Sequence, residues 1–191
     1  MTLASSPARD GRLETGADLI PAWGPDGVLR PVEKLEVHRR GLRHAAVSVF
    51  VMTGDRTLLQ RRALTKYHTP GLWANACCTH PHWGEEPAAA AARRLREELG
   101  IAGLALRPRG RIEYRAEVGG GMVEHELVEL FVAEMPSADI AITPNPAEVM
   151  EVQWMALGDL RHAIAAAPER FTPWLRIYLT RHPGQIFLPA A

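Results

Sequence analysis

The sequence predicts an α/β protein of the mixed, α+β type, with one mixed β-sheet sandwiched between helices and an N-terminal hairpin extension. Three observations predict it. Strand-like and helix-like runs alternate irregularly along the chain, without a strict βα repeat. Several apolar runs are joined by glycine turns, which make antiparallel neighbours. The run Ala45 to Met52 (AAVSVFVM) is almost continuously apolar, as a strand buried on both faces would be.

The elements follow in chain order. Residues 1–16 are small and charged with nothing periodic to bury, which predicts a mobile leader before a single domain over 17–191. Leu19 to Val32 holds Gly24-Pro25-Asp26-Gly27 between short apolar runs and reads as a hairpin. After the core strand, Thr53-Gly54-Asp55 turns the chain and Leu58 to Arg62 returns as a second strand. Thr69-Pro70-Gly71 breaks the chain, and Leu72 to His80 reads as a loop running into a strand. Glu86 to Leu99 is the clearest helix, with Pro87 in its first turn, Gly100 past its end and an expected buried stripe of Ala88, Ala92, Leu95 and Leu99. Leu104 to Val118 and Met122 to Met135, joined by Gly119-Gly120-Gly121, form an expected long hairpin. Val149 to Met155 reads as a strand, and Leu157 to Ala167 and Pro173 to His182 read as helices.

Composition narrows the function. Lysine plus arginine equals aspartate plus glutamate at 22 each, so no overall positive field exists to hold nucleic acid or an anionic membrane. An anionic ligand must meet a local cluster. No stretch has the signal-peptide pattern or the roughly 20 apolar residues of a membrane span, so a cytoplasmic protein is expected. Cys77 and Cys78 are sequence neighbours, which suits neither an ordinary disulfide nor a zinc knuckle and leaves two free thiols.

The two-residue period of a strand puts Glu124 and Glu126 on one face of Val123-Glu124-His125-Glu126-Leu127, with His125 on the other. Two carboxylates can meet one ion there, although an exposed strand edge carries such pairs too. Cys78 and His80 fall side by side on one strand face, open to reading as a nucleophile pair or as a thiol beside a metal ligand. His38 and His44 precede the core strand, where ligands or plain surface residues can sit. Three neutral imidazoles and two carboxylates would balance a divalent cation and suit manganese or zinc better than magnesium alone, while the histidines at 68, 82, 125, 162 and 182 compete for the role. On the predicted helix, Arg93 and Glu97 make a solvated pair, whereas Arg94 and Glu98 flank the buried stripe, facing a cleft or each other. Arg62 and Lys66, four apart before the Pro-Gly break, could join Arg94 in cradling a diphosphate.

Gly84-Glu85-Glu86 followed by Arg93-Arg94-Leu95-Arg96-Glu97-Glu98-Leu99-Gly100-Ile101 resembles a degenerate Nudix box, with Thr79 where the hydrolases have glycine and Arg94 where they have a metal-binding glutamate. The segments QRRALTKYHTPGLWANACCTHP at 60–81, GMVEHELVELF at 121–131 and NPAEVMEVQWM at 145–155 resemble the type 1 isopentenyl-diphosphate isomerases, from about Leu19 to the C-terminal helix.

The resemblance implies a Nudix-like fold and conversion of isopentenyl diphosphate to dimethylallyl diphosphate through a carbocation. Carried over residue by residue, it implies His38, His44, His80, Glu124 and Glu126 as metal ligands, and Glu98 as a ligand to a magnesium ion (Mg2+) shared with the substrate diphosphate. The further divalent metal would be Mn2+, Mg2+ or Zn2+. It implies Cys78 and Glu126 as the catalytic pair, Tyr114 supporting that glutamate, Trp154 facing the cationic carbon, and Lys34, Arg62, Lys66 and Arg94 around the phosphates. The hairpin and Trp174 are candidates for a lid. The implied partner is the small isoprenoid diphosphate, with monomer or homodimer left open. Two other readings are a Nudix diphosphate hydrolase, against which the arginine at position 94 argues, and a non-catalytic metal-binding module.

Overall fold

The computed structural model describes residues 19–138 and 141–187, so the expected leader at 1–16 lies outside them. The chain opens with the expected hairpin, β1 (Leu19–Trp23) and β2 (Leu29–Glu33) paired antiparallel, its turn closed by Asp26 accepting from the Val28 amide at 3.2 Å. Next comes a helix that the sequence pattern does not reveal, α1 (Lys34–Arg40). The Glu33 carboxylate accepts from the amides of Leu35 and Glu36 at its start, and Gly41, at φ 60°, ends it. Seven residues span too few turns for a 3.6-residue period to stand out.

The hub of the sheet is β3 (Arg43–Thr53). It runs parallel to β8 (Met122–Glu134) from Arg43↔His125 to Met52↔Glu134, and β8 is antiparallel to β7 (Arg107–Gly119), the expected long hairpin. On the other side β3 meets β4 (Arg56–Arg62) only next to their turn, at Met52↔Thr57 and Thr53↔Arg56. The gap beyond is filled by Leu72 to His80, the segment expected as a loop running into a strand, which instead forms two short strands. β5 (Trp73–Asn75) pairs with β4, and β6 (Cys77–Thr79) pairs with β3. The chain therefore steps across the sheet at Ala76. β9 (Val149–Ala156) completes the far side against β4.

Side chains alternate along β3 and so define two faces. Val47, Val49 and Val51 pack under α2 (Pro87–Leu99) with Leu58, Ala90, Ala91, Leu95 and Leu99. The expected stripe is rotated: Ala88 and Ala92 are exposed, and Ala90 and Ala91 are buried in their place. Five alanines in a row, Ala88 to Ala92, give no hydrophobic contrast from which to fix a face. Ala46, Phe50 and Met52 point the other way, into a core closed by α3 (Leu157–Ala166), α4 (Pro173–Arg181) and α5 (Pro183–Phe187). The sheet is thus covered by helices on both faces. No helix among the described residues is long and apolar enough to cross a membrane.

Candidate active site

Strand register builds the centre of the site. The parallel β3–β8 pair sets His44 opposite Glu126, and the β7–β8 hairpin sets Tyr114 opposite Glu126 from the other side. The row His44, Glu126, Tyr114 therefore crosses three strands on the face shared with α4. Glu124, two residues earlier on β8, shares that face, and both carboxylates are buried. Tyr114 Oη lies 2.7 Å from Glu126 Oε2 and 2.8 Å from Glu124 Oε2, tying the two together. Burial, and then the neighbouring Glu126, push the Glu124 carboxyl well above the usual range. Burial alone would do the same to Glu126, but the His44 and His80 imidazoles overcome it and hold that carboxyl well below.

Two further elements bring histidines to join His44 of β3: α1 carries His38, and the end of β6 leads into His80. Ring centroids of the three lie 4.9–5.0 Å apart. His38 Nδ1 donates to the Lys34 carbonyl at 2.6 Å and His44 Nδ1 to the Leu42 carbonyl at 2.7 Å, which turns each Nε2 inward. Both Nε2 atoms, and His80 Nδ1, are buried without a hydrogen-bond partner. Burial holds His38 and His80 in the neutral form a ligand needs, His38 lowered to about 4. One donor atom each from His38, His44, His80 and Glu126 falls within 4.8 Å of the others, and His38 also groups so with His68 and Glu124. Orphaned, neutral, buried nitrogens converging on carboxylates fit a divalent metal ion.

Cys78 lines the same cavity as Glu126, His80 and Tyr114. It faces Ser48 across the β3–β6 pair, and its thiol donates to Asn75 Oδ1 at 3.1 Å. Asn75 in turn fills the step between β5 and β6, its Nδ2 lying within 3.1 Å of Ser48 Oγ, the Val49 carbonyl and the Cys77 carbonyl. Because Ser48 Oγ accepts from the amide, its own proton can point at Cys78 Sγ, 3.3 Å away. Burial pushes the Cys78 thiol up. Cys77 is fully buried on the opposite face, under α2.

The cavity is also lined by four cations, Lys34, Arg62, Lys66 and Arg94. Lys34 and His38 share one face of α1, four residues apart. Burial, then Lys66, Arg94 and Arg62, lower the Lys34 ammonium to about 8. Glu148 stands among these charges, 2.5 Å from Lys66 Nζ and 3.2 Å from Arg94 Nη2. Glu98 stands behind them, Oε1 accepting from Arg94 at 2.5 Å and Oε2 from Gln60 at 2.7 Å.

The structure corrects one assignment. Trp154 sits on β9 opposite Leu58, packs against the α2 core and does not line the cavity. The indole in the cavity wall is that of Trp174, at the start of α4. One position on a strand decides a face, and the resemblance that pointed to Trp154 does not say how β9 pairs. Sequence reasoning also missed Ser48, Asn75 and Glu148, and left His68 among several competing histidines. Asn75, Glu148 and His68 lie inside the very segments that carry the resemblance, which was the signal available.

Comparison with known proteins agrees with this geometry. The NUDIX domain family model matches residues 42–175. A protein of Dinoroseobacter shibae called isopentenyl-diphosphate Delta-isomerase is 65% identical over 170 residues, covering 89% of this chain and 96% of its own. Proteins of the same name from Cereibacter sphaeroides and Rhodobacter capsulatus are 61% and 60% identical, covering 89% and 90% of this chain and 95% and 97% of their own. Among solved structures, a Deinococcus radiodurans protein superposes with TM-score 0.68 at 16% identity, covering 85% of this chain and 98% of its own. A MutT NUDIX hydrolase from Burkholderia pseudomallei superposes at 0.57 with 23% identity, covering 73% and 98%. At those identities the two structures speak for the fold alone.

Proposed function

The chain belongs to the NUDIX domain family and, within it, to the isopentenyl-diphosphate Delta-isomerases, so it isomerises isopentenyl diphosphate to dimethylallyl diphosphate, and we propose that Cys78 and Glu126 move the two protons. One group protonates C4 of the alkene and the other removes a proton from C2, so the double bond migrates and no proton is gained or lost overall. The observation that carries this reading is that one cavity is lined by the Cys78 thiol, the Glu126 carboxylate, the Trp174 indole and four cationic side chains.

An unactivated alkene is a weak base, so the reaction needs position as well as acidity. Lys34, Arg62, Lys66 and Arg94 anchor the diphosphate, and that remote binding energy holds the small C5 unit between the two proton carriers. Arg62 and Lys34 already lie over aromatic faces, Arg62 at 5.2 Å from the Trp174 ring centre and Lys34 at 5.4 Å from that of Tyr67. Trp174, in place of Trp154, presents its ring to the tertiary cation. Water must be kept from the site, because it would trap that cation as an alcohol. Tyr114 holds Glu126 in place. Ser48 and Asn75 hold Cys78, with a proton acceptor and a proton donor both within reach of the sulfur.

A divalent metal is bound by this family and by this donor set. We assign His38, His44, His80, Glu124 and Glu126 to it, manganese, zinc or magnesium being the candidates, and Glu98 to a magnesium ion shared with the diphosphate. When bound, the first ion supplies positive charge at Glu126 and so changes its proton affinity, and the second neutralises phosphate charge. Residues 17–191 act as one unit in this scheme.

Incubation of the metal-loaded protein with isopentenyl diphosphate, followed by phosphorus and proton NMR, separates isomerisation from hydrolysis. Dimethylallyl diphosphate with the diphosphate intact is expected. Release of phosphate or pyrophosphate without alkene migration would move the chain to the hydrolases.

A further inference from the structure

His68 is the buried imidazole that the assigned ligand set leaves over. It is 6% exposed, with Nε2 3.6 Å from Glu124 Oε1 and its ring stacked on that of His38, centroids 5.6 Å apart and planes at 27°. Its Nδ1 lies 3.1 Å from Thr69 Oγ1, an arrangement in which Nδ1–H donates to the hydroxyl and Nε2 turns its lone pair toward Glu124.

The backbone is strained to put it there. Thr69, at φ 46°, is the one non-glycine residue with positive φ among the described residues, and it directly precedes Pro70, which restricts its conformations further. Such strain persists where the surroundings hold it. Arg62 Nη2 supports the same turn by donating to the His68 carbonyl at 3.2 Å.

We infer that His68 is a fourth imidazole of the metal centre, ligating the same ion as His38 and Glu124. A single ion follows from His38, whose Nδ1 is committed to the Lys34 carbonyl, so that it has only Nε2 to offer to both groups of donors. Glu124 divides likewise, Oε2 to Tyr114 and Oε1 toward His68. The protein then provides four nitrogens and two carboxylates, enough to fill six positions without solvent. So nitrogen-rich a set selects a transition metal over magnesium.

This inference rests on the metal centre proposed above, and the test separates the two. Full-length protein is titrated with Mn2+ alone and its coordinated imidazole nitrogens are counted by pulsed electron paramagnetic resonance. The wild type should show four, a count that depends on no variant folding. His68→Ala should show three and bind Mn2+ at least about tenfold more weakly, the lower end of what even outer-sphere losses cause. Thr69→Val, which keeps the imidazole and removes the hydroxyl, should keep four and bind more weakly than the wild type. Three nitrogens in the wild type, or an unchanged count and affinity in His68→Ala, would remove His68 from the centre and leave the other ligands standing. A wild type with no nitrogen-coordinated Mn2+ would overturn the metal centre itself.

Discussion

The two faces of β3 make opposite demands of one strand. Toward α2 it presents Val47, Val49 and Val51 to an apolar layer, while toward α4 it presents His44 and Ser48 among Ala46, Phe50 and Met52. A buried polar group is costly unless paired, and the second face meets that demand with Glu126, Asn75 and Cys78. The difference teaches that strand alternation sorts the two roles: odd positions of β3 hold the sheet to its helix, and even positions face the proposed site.

Substitutions on the two faces should separate in kind. Glu126→Gln or Cys78→Ala should lower kcat by at least about 10²- to 10⁴-fold with a small change in Tm. Leu95→Ala, under the other face, should cost roughly 2–5 kcal/mol by denaturant unfolding and leave the kcat of the folded fraction nearly unchanged. Loss of turnover in folded Leu95→Ala would break the division between the faces.

A second pair sharpens it. Trp174→Leu should lower kcat by about tenfold or more, the loss of a cation–π contact of roughly 2 kcal/mol in a desolvated site. Trp154→Leu should act on Tm alone. Equal kinetic losses in both would restore Trp154 to the reaction.

A smaller effect is expected from Ser48→Ala, which removes one hydrogen bond to the Cys78 sulfur. A loss of about 1 kcal/mol, near fivefold in kcat, should appear with Mn2+ affinity unchanged.

The smallest effect concerns pH. Lys34 is lowered from 10.5 to about 8, so the folded protein binds fewer protons than the unfolded chain between those values, and this group's contribution to stability rises with pH across that window. Diphosphate binding should run the other way, because the ammonium charge proposed to hold the phosphates is lost above about 8. The alkaline fall in kcat/KM should therefore start near that pH and move upward in Lys34→Arg. An unmoved alkaline limb would assign the fall to another group.

Much of this was legible in the sequence, and what was not has physical reasons. The paired carboxylates 124 and 126, the thiol at 78 and the long β7–β8 hairpin follow from a period of two and from glycine turns. Helix α1 was too short to show a period, yet it carries both Lys34 and His38. The step at Ala76 was hidden because a sequence does not say that β3 and β4 diverge. Trp154 and Trp174 have the same side chain, and only strand pairing reveals which of them reaches the cavity. His68 depends on a strained turn at Thr69 that no propensity favours.

The most direct test of the opposed thiol and carboxylate is turnover in deuterated water. Metal-loaded protein should convert isopentenyl diphosphate to dimethylallyl diphosphate with solvent deuterium in the methyl group formed from C4, and both Cys78→Ala and Glu126→Gln should abolish that conversion. Conversion with no solvent label, or full activity in either variant, would contradict it.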